Sequence, residues 1–487
     1  TATTTRADTT RSLADDSIPP EPPYTLSEVV VLAQRHPVNR AATVYERDRR
    51  HIEERAVRSA GEALAHVPGL YLYRTARNEH TFRLRGFEQR QVSVFLDGVP
   101  ISIPYDGLVD VAQLAGDDIE RVQVSHGFSS MLYGANSLGG SVNLMTTAPA
   151  REPSLTARLE HSDHGRTFGT LAAGGGTRQL RFSGSVAVDR ADAFRLSGDY
   201  APALNEDGGA RENSGFSRKR FALKAHWLAS PAHQVGVHLS GVDNEYGVPP
   251  NAESAWARYW RFPVWRRTLA SINTRHTFGE RLSVRTVWYH DGYDNLLRSF
   301  DDATYTTQQR GYAFDSEYDD RSRGVILYPT LQLLPFGATD AVISYRKDVH
   351  RERDDDEPFQ RFAAATLMLG IEQDVAFSPG LGMVAGVNVN LLFPEQSAGA
   401  PAADPLRQVN AQWALEHRHG PALSTHVAVS RKSRFPTLKE LHSNRLGTSI
   451  PNADLRSENS LHAEVGADLE IHGWYTGISL FHSAARD

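Results

Sequence analysis

The residue types that carry chemistry are present in this chain but are not arranged for catalysis. Its 487 residues include 20 histidines and no cysteine. The histidines are scattered, and no pair stands at metal-site spacing with a clear third ligand. Without cysteine there is neither a disulfide framework nor a thiolate metal site. Arg351 to Phe359, RERDDDEPF, gathers acids but lacks the spacing of a calcium loop, and reads as a solvated tip. Gly174 to Gly176 is a turn, because no helix follows to cradle a phosphate. No nucleophile–base arrangement is found, so no catalytic residue, metal or cofactor is expected and the chain does not read as an enzyme. One short segment suits a mechanical task instead: Glu28, Val29, Val30, Val31, Leu32 and Ala33. It is extended and β-branched, and it follows Thr1 to Pro23, a Thr-, Asp- and Pro-rich stretch that reads as a disordered leader. Such a segment can add as a strand to the edge of a partner's sheet, gripped by backbone hydrogen bonds.

Composition narrows the class. The net charge is -6 with 23% charged residues, and Lys and Arg are spread rather than clustered, which argues against a nucleic-acid partner. No run approaches the roughly 20 apolar residues of a membrane helix. The mean hydropathy of -0.42 is compatible with a membrane β-barrel, whose strands alternate apolar and polar residues.

Two halves follow different rules. Up to about residue 150 the pattern mixes α and β. Ser59 to His66 reads as a short helix closed by Pro68-Gly69. QVSVFLDGVPIS carries an Asp97-Gly98 hairpin signal, and DIERVQVSHG and LGGSVNLMTT read as further strands. After Pro153 period-two strands follow one another. Leu180, Phe182, Val186 and Val188 share one face, opposite Arg181, Ser183, Ser185 and Asp189. Leu461, Ala463, Val465, Ala467 and Leu469 oppose His462, Glu464, Asp468 and Glu470. About fifteen such strands are predicted, with boundaries good to a few residues.

The connections select the kind of β protein. Turns after even-numbered strands are short, as in GGGTR, ASPAH, TFGER and AFSPG. Those after odd strands are mostly long: Arg190 to Arg218, Asn244 to Val264, Asp291 to Asp320 and Arg431 to Glu458. The short connection near Asp163 to Arg166 is the exception. A soluble sandwich has no reason for this parity, whereas an outer-membrane barrel has short periplasmic turns and long outer loops. Backbone groups must all be paired in hydrocarbon, so a spanning sheet closes on itself. Trp227, Trp265, Trp288, Tyr289 and Trp474 are candidates for interfacial girdles.

Several segments carry a family resemblance. IERVQVSHGFSSMLYGANSLGGSVNLMTT, Ile119 to Thr147, closely resembles the end of a TonB-dependent receptor plug. FRLRGFEQRQVSVFLDGVPI, Phe82 to Ile101, looks like that plug's central strands. SEVVVLAQR, Ser27 to Arg35, is similar to the TonB box and the segment after it. RFPTLKELH from Arg434 and PNADLRSENSLHAEVG from Pro451 resemble an outer loop and returning strand of the same family.

The resemblance implies a mainly β fold: an antiparallel transmembrane β-barrel with an N-terminal α+β plug inside the lumen. The family's barrel has about 22 strands, so the chain is expected to be C-terminally truncated. The implied organisation is a periplasmic leader over 1–26, a TonB-box segment over 27–35, a plug over 36–150 and a partial barrel over 151–487. The implied setting is the outer membrane of a Gram-negative bacterium, against lipid and lipopolysaccharide. The implied work is import of a metal chelate, most readily a ferric siderophore or else cobalamin, driven by the inner-membrane TonB complex pulling on Glu28 to Ala33. Substrate would meet outward plug loops, where Arg74, Arg77, Tyr105 and Asp106 offer charge-assisted bonds and stacking to a carboxylate, catecholate or phosphate. Plug arginines in relatives pair with barrel glutamates, a role that falls here to Arg85 and Glu464. The chain departs from the pattern at His126-Gly127-Phe128, where the family usually has Arg-Gly-Pro. A passive porin would need neither the EVVVLA segment nor the N-terminal domain, and a soluble β-adhesin would not keep the loop parity.

Overall fold

The structure, a computed structural model, describes residues 44–162, 165–334, 337–399, 403–443, 452, 454–472 and 474–486. The leader and Glu28 to Ala33 lie outside the described residues. The N-terminal domain is built from β1 (Val44–Asp48), α1 (Arg49–Glu54), α2 (Ala60–Leu64), β2 (Leu70–Arg74), β3 (His80–Leu84), β4 (Phe87–Glu88), β5 (Val92–Leu96), β6 (Val99–Pro100), β7 (Ile119–His126) and β8 (Gly140–Thr146). One sheet runs β1-β7-β8-β5-β6 and a second runs β2-β3-β4. Helix α2 is shorter than the predicted stretch, because Ser59 caps it by accepting a hydrogen bond from the Glu62 amide. Asp97 and Gly98 both adopt positive φ, +48° and +87°, as a two-residue hairpin turn requires. The Asp97 carboxylate also accepts from the Thr146 amide at 2.8 Å, tying the turn to β8.

From β9 (Ser154–His161) to β23 (Trp474–Arg486) the chain forms a 15-stranded sheet in which each strand pairs with its neighbours in sequence. Its burial is inverted relative to a water-soluble protein. Phe182 and Val186 are 50% and 55% exposed, while Asp189, Arg218, Lys224 and His238 on the other face are buried. Side chains alternate across a strand, so register carries the outward stripe from strand to strand. Val237, Ile272, Trp288, Val325, Tyr345, Leu367 and Leu391 are successive cross-strand partners. Together they form a continuous apolar row on the outer face of the sheet. The inward face meets the N-terminal domain: Leu269, Tyr289, Tyr328 and Met368 belong to the same buried core as Phe95, Val142 and Tyr133. The small domain therefore sits within the curved sheet as a plug.

Two expectations need correction. The long outer connections are shorter than predicted, because strands continue through much of them. The strand Leu282–Phe300 and the next, from Asp315, leave only 301–314 as loop, and Val248 and Tyr259 bound 249–258. The strand Tyr259–Phe278 has 20 residues, far more than the roughly 9–11 needed to cross a bilayer. Its excess serves the plug's outer rim rather than lipid. Of the aromatic girdle candidates, Trp227, Trp288 and Trp474 are exposed on the sheet, but Trp265 and Tyr289 are buried. A register shift between Arg261 and Val264 helps set the facing of this strand, and Trp265 packs edge-on against Tyr293 inside.

Candidate functional site

At the long-loop end, plug and barrel enclose a chamber of about 300 Å³ lined by Arg77, Tyr105 and Asp106 together with Arg258, Trp260 and Lys439. Three of the four predicted substrate residues thus meet. Arg77 lies between β2 and β3 on a loop stiffened by Thr75, whose hydroxyl oxygen accepts from the Arg77 and Glu79 amides. The Arg77 guanidinium stands 3.5 Å from Glu79 and lies over the rings of Phe262 and Tyr318. Burial pushes the Glu79 carboxyl up to about 7, with Arg77 pulling against it and Asp106 adding to it. Burial works against the charge on Arg77, but Glu79 and the neighbouring tyrosines outweigh it and raise its pKa. Glu79 is the residue that sequence reasoning passed over: it lies within the predicted loop, but no spacing marks it.

Tyr105 is an anchor more than an open contact. Its ring stacks on His350 with centroids 4.3 Å apart, its hydroxyl donates to Ser443 Oγ at 2.8 Å, and its carbonyl accepts from the Lys439 amide. Asp106 accepts from the Leu108 amide at 3.1 Å, closing its own turn. Arg74 lies apart from the other three, lining a separate cavity of about 380 Å³ with His80, Asp110, Arg166 and Phe194.

The outer loop that carries Lys439 and Ser443 is fastened to the plug through α3 (Leu438–His442). Thr437 and Glu440 form a capping box at its start. Glu440 also receives Arg434 and stands 3.0 Å from Arg90 of the plug. Burial opposes ionisation of Glu440, but Arg434, the Thr437 amide and Arg90 hold its carboxyl down at about 2.

Deeper in the lumen, Arg85 Nη1 donates to Glu464 Oε2 at 2.5 Å, and both side chains are nearly buried. The guanidinium also covers the Phe481 ring at 3.9 Å. His126 Nε2 lies 2.8 Å from the Pro68 carbonyl oxygen. A second buried barrel carboxylate, Glu372, is met by the Ser130 hydroxyl and the Met131 amide and by Gln412. Phe128 packs with Ala414 and Ala428.

Comparison with known proteins agrees with this architecture. The family described as TonB-dependent Receptor Plug Domain matches residues 38–141. The vitamin B12 transporter BtuB of Photobacterium profundum is 25% identical over 195 residues, covering 39% of this chain and 32% of the transporter. BtuB of Vibrio vulnificus is 26% identical over 154 residues, covering 31% of the chain and 23% of the transporter. The chain thus matches a third or less of the length of these curated relatives. Among solved structures, the copper transporter OprC superposes with a TM-score of 0.77 at 14% identity, covering 92% of this chain and 71% of OprC. The FrpB iron transporter of Neisseria meningitidis gives 0.76 at 11% identity, covering 92% and 74%. Residues 38–141 are therefore a TonB-dependent receptor plug domain, seated in a β-sheet that shares its fold with these solved transporters.

Proposed function

We propose that the chain imports a scarce metal chelate across the outer membrane, energised by TonB, with Glu28 to Ala33 as the segment TonB grips. The observation that carries this reading is the plug itself. It occupies the lumen and is held in part by hydrogen bonds and ion pairs, such as Arg85–Glu464 and Gln91–Glu458, which water can replace when the plug is pulled. Its first helix and the residues after it line a cavity with Gly174 and Ser183, beside a short turn, so the N-terminal approach is from the periplasmic end. Lipid and lipopolysaccharide are the partners of the outward apolar row.

The chamber of Arg77, Arg258 and Lys439 with Trp260 and Tyr318 suits an anionic, ring-bearing chelate, which favours a ferric siderophore. Arg77 and Asp106 are its polar contacts, with Tyr105 in the chamber lining and Arg74 in a separate cavity. Cobalamin is the second reading, favoured by the vitamin B12 transporters among the relatives. Deleting Ser27 to Ala33 in the full-length receptor is expected to abolish uptake while leaving binding intact. Uptake that survives the deletion rejects the energised mechanism. Calorimetry with a ferric catecholate, ferric citrate and cyanocobalamin separates the two substrate readings.

A further inference from the structure

The two sides of the plug are seated differently. Toward the strands Leu282–Phe300, Asp315–Leu334 and Gly337–Asp354, the contact is largely apolar packing, with Tyr133 and Leu132 joined to Tyr289, Ile326 and Val342 in one core, and beyond them Glu372, Asn390 and Lys432 hold the plug by hydrogen bonds. Toward the strand Phe216–Ser230, it is polar. Arg218, Arg220 and Lys224 all project inward from that strand and are buried. Arg218 donates to Gln113 Oε1 at 2.7 Å, where Asn244 also donates. Arg220 donates to the carbonyls of Arg58 and Leu114. Lys224 donates to the Thr147 carbonyl at 2.6 Å and lies 3.4 Å from Asp118.

Cavities follow this same wall. An outer one of about 380 Å³ reaches from Phe194 to Gln113. A middle one of about 60 Å³ shares Gln113 with it and is lined by Arg220. An inner one of about 380 Å³ shares Ser185, Ala222, Asp117 and Asp118 with the middle one and continues to Gly174 near the short-turn end. Nε and Nη2 of Arg220 are buried without a hydrogen-bond partner among the described residues, so part of its charge is held in reserve beside the narrowest cavity.

We infer that the polar seam along Phe216–Ser230 is the translocation route, opened when plug residues 113–118 are drawn off the wall, and that Arg218, Arg220 and Lys224 are its specificity-determining cations for an anionic solute. Residues 113–118 meet the wall through hydrogen bonds that water can take over and already border the row of cavities, whereas the seam at Tyr289, Ile326 and Val342 would have to expose apolar surface. A pull on the plug therefore parts the polar side and leaves the apolar side as the hinge. Each cation on the wall then becomes a successive contact for a negatively charged solute. The inference rests on the energised-import reading.

The cysteine-free chain permits a direct test on the full-length receptor in intact cells. Ala222→Cys reports the seam along Phe216–Ser230, and Ala414→Cys on the strand Leu406–Arg418, fully buried against Phe128, reports the wall beyond the apolar seam. With Ser27 to Ala33 present, labelling at Ala222→Cys by a thiol-reactive methanethiosulfonate is expected to run severalfold faster than with that segment deleted. Ala414→Cys stays protected in both. Opening at Ala414→Cys alongside Ala222→Cys overturns the inference. So does indifference of Ala222→Cys to the segment while chelate uptake still requires it; uptake that does not require the segment fails the import reading instead. Adding Arg220→Gln is expected to slow a sulfonated reagent severalfold relative to a neutral one, and an unchanged ratio overturns the anion assignment.

Discussion

Consider removal of the carboxylate that holds Arg85. In Glu464→Ala the guanidinium stays in the lumen, 11% exposed in the parent, against a wall from which its partner is gone. Breaking a buried pair by deleting one member costs about 3–5 kcal/mol, because a charge is left uncompensated. The Phe481 ring, 3.9 Å from the guanidinium carbon, contributes equally in parent and variant and offsets none of this loss. A loss of about 3–5 kcal/mol is expected, which is about 150- to 4000-fold in the opening equilibrium of the plug segment. The paired strands Leu70–Arg74 and His80–Leu84 carry the readout, since the Arg85 amide that follows them donates to the Gly69 carbonyl. Amide hydrogen exchange of these strands in detergent-solubilised receptor is expected to accelerate by that factor. The double variant Arg85→Met with Glu464→Leu, which removes both charges, is expected to return close to the parent rate. Exchange in the single variant no faster than in the parent, or a double variant as fast as the single, refutes the reasoning.

A pH profile arises from Glu79, whose folded pKa of about 7 lies above the usual carboxylate value because of burial. The neutral form is therefore favoured in the folded loop, and the stability tied to it is fully present below the usual carboxylate pKa and lost as pH rises through about 7. Ionisation also places a negative charge beside Arg77, so affinity for a ferric catecholate is expected to fall through the same window and Glu79→Gln to flatten the profile; calorimetry across that range checks both. In the wall, Trp265 is 0% exposed, and Trp265→Ala is expected to cost about 3–5 kcal/mol, whereas lipid-facing Trp227→Ala loses far less. Thermal unfolding in detergent separates them, and equal midpoints would contradict the inward placement of Trp265.

Legibility differed by element. Val186 and Val188 announced an outward face because period two is a local property of the chain, and the Asp97-Gly98 turn was readable because its backbone geometry restricts residue type to a few choices. The extent of the strands was not legible: Leu296 to Phe300 looks like loop in sequence, and it becomes strand because Tyr259 to Val264 on one side and Asp315 to Glu317 on the other lie beside it.

What the sequence determined alone was the alternation, the turn chemistry and the parity of connections, all set by neighbours within a few residues. Those are enough for a plug followed by a barrel wall. The tertiary structure decided which carboxylates meet the plug. Glu372 and Glu464 are alike as letters, yet one receives a hydroxyl and an amide and the other an arginine. It also decided that Glu79 would be buried beside Arg77 and that Tyr105 would be spent on His350 and Ser443. These outcomes depend on residues hundreds of positions apart arriving at one place. Electrostatics and stacking act over a few ångströms of space, whatever the separation along the chain.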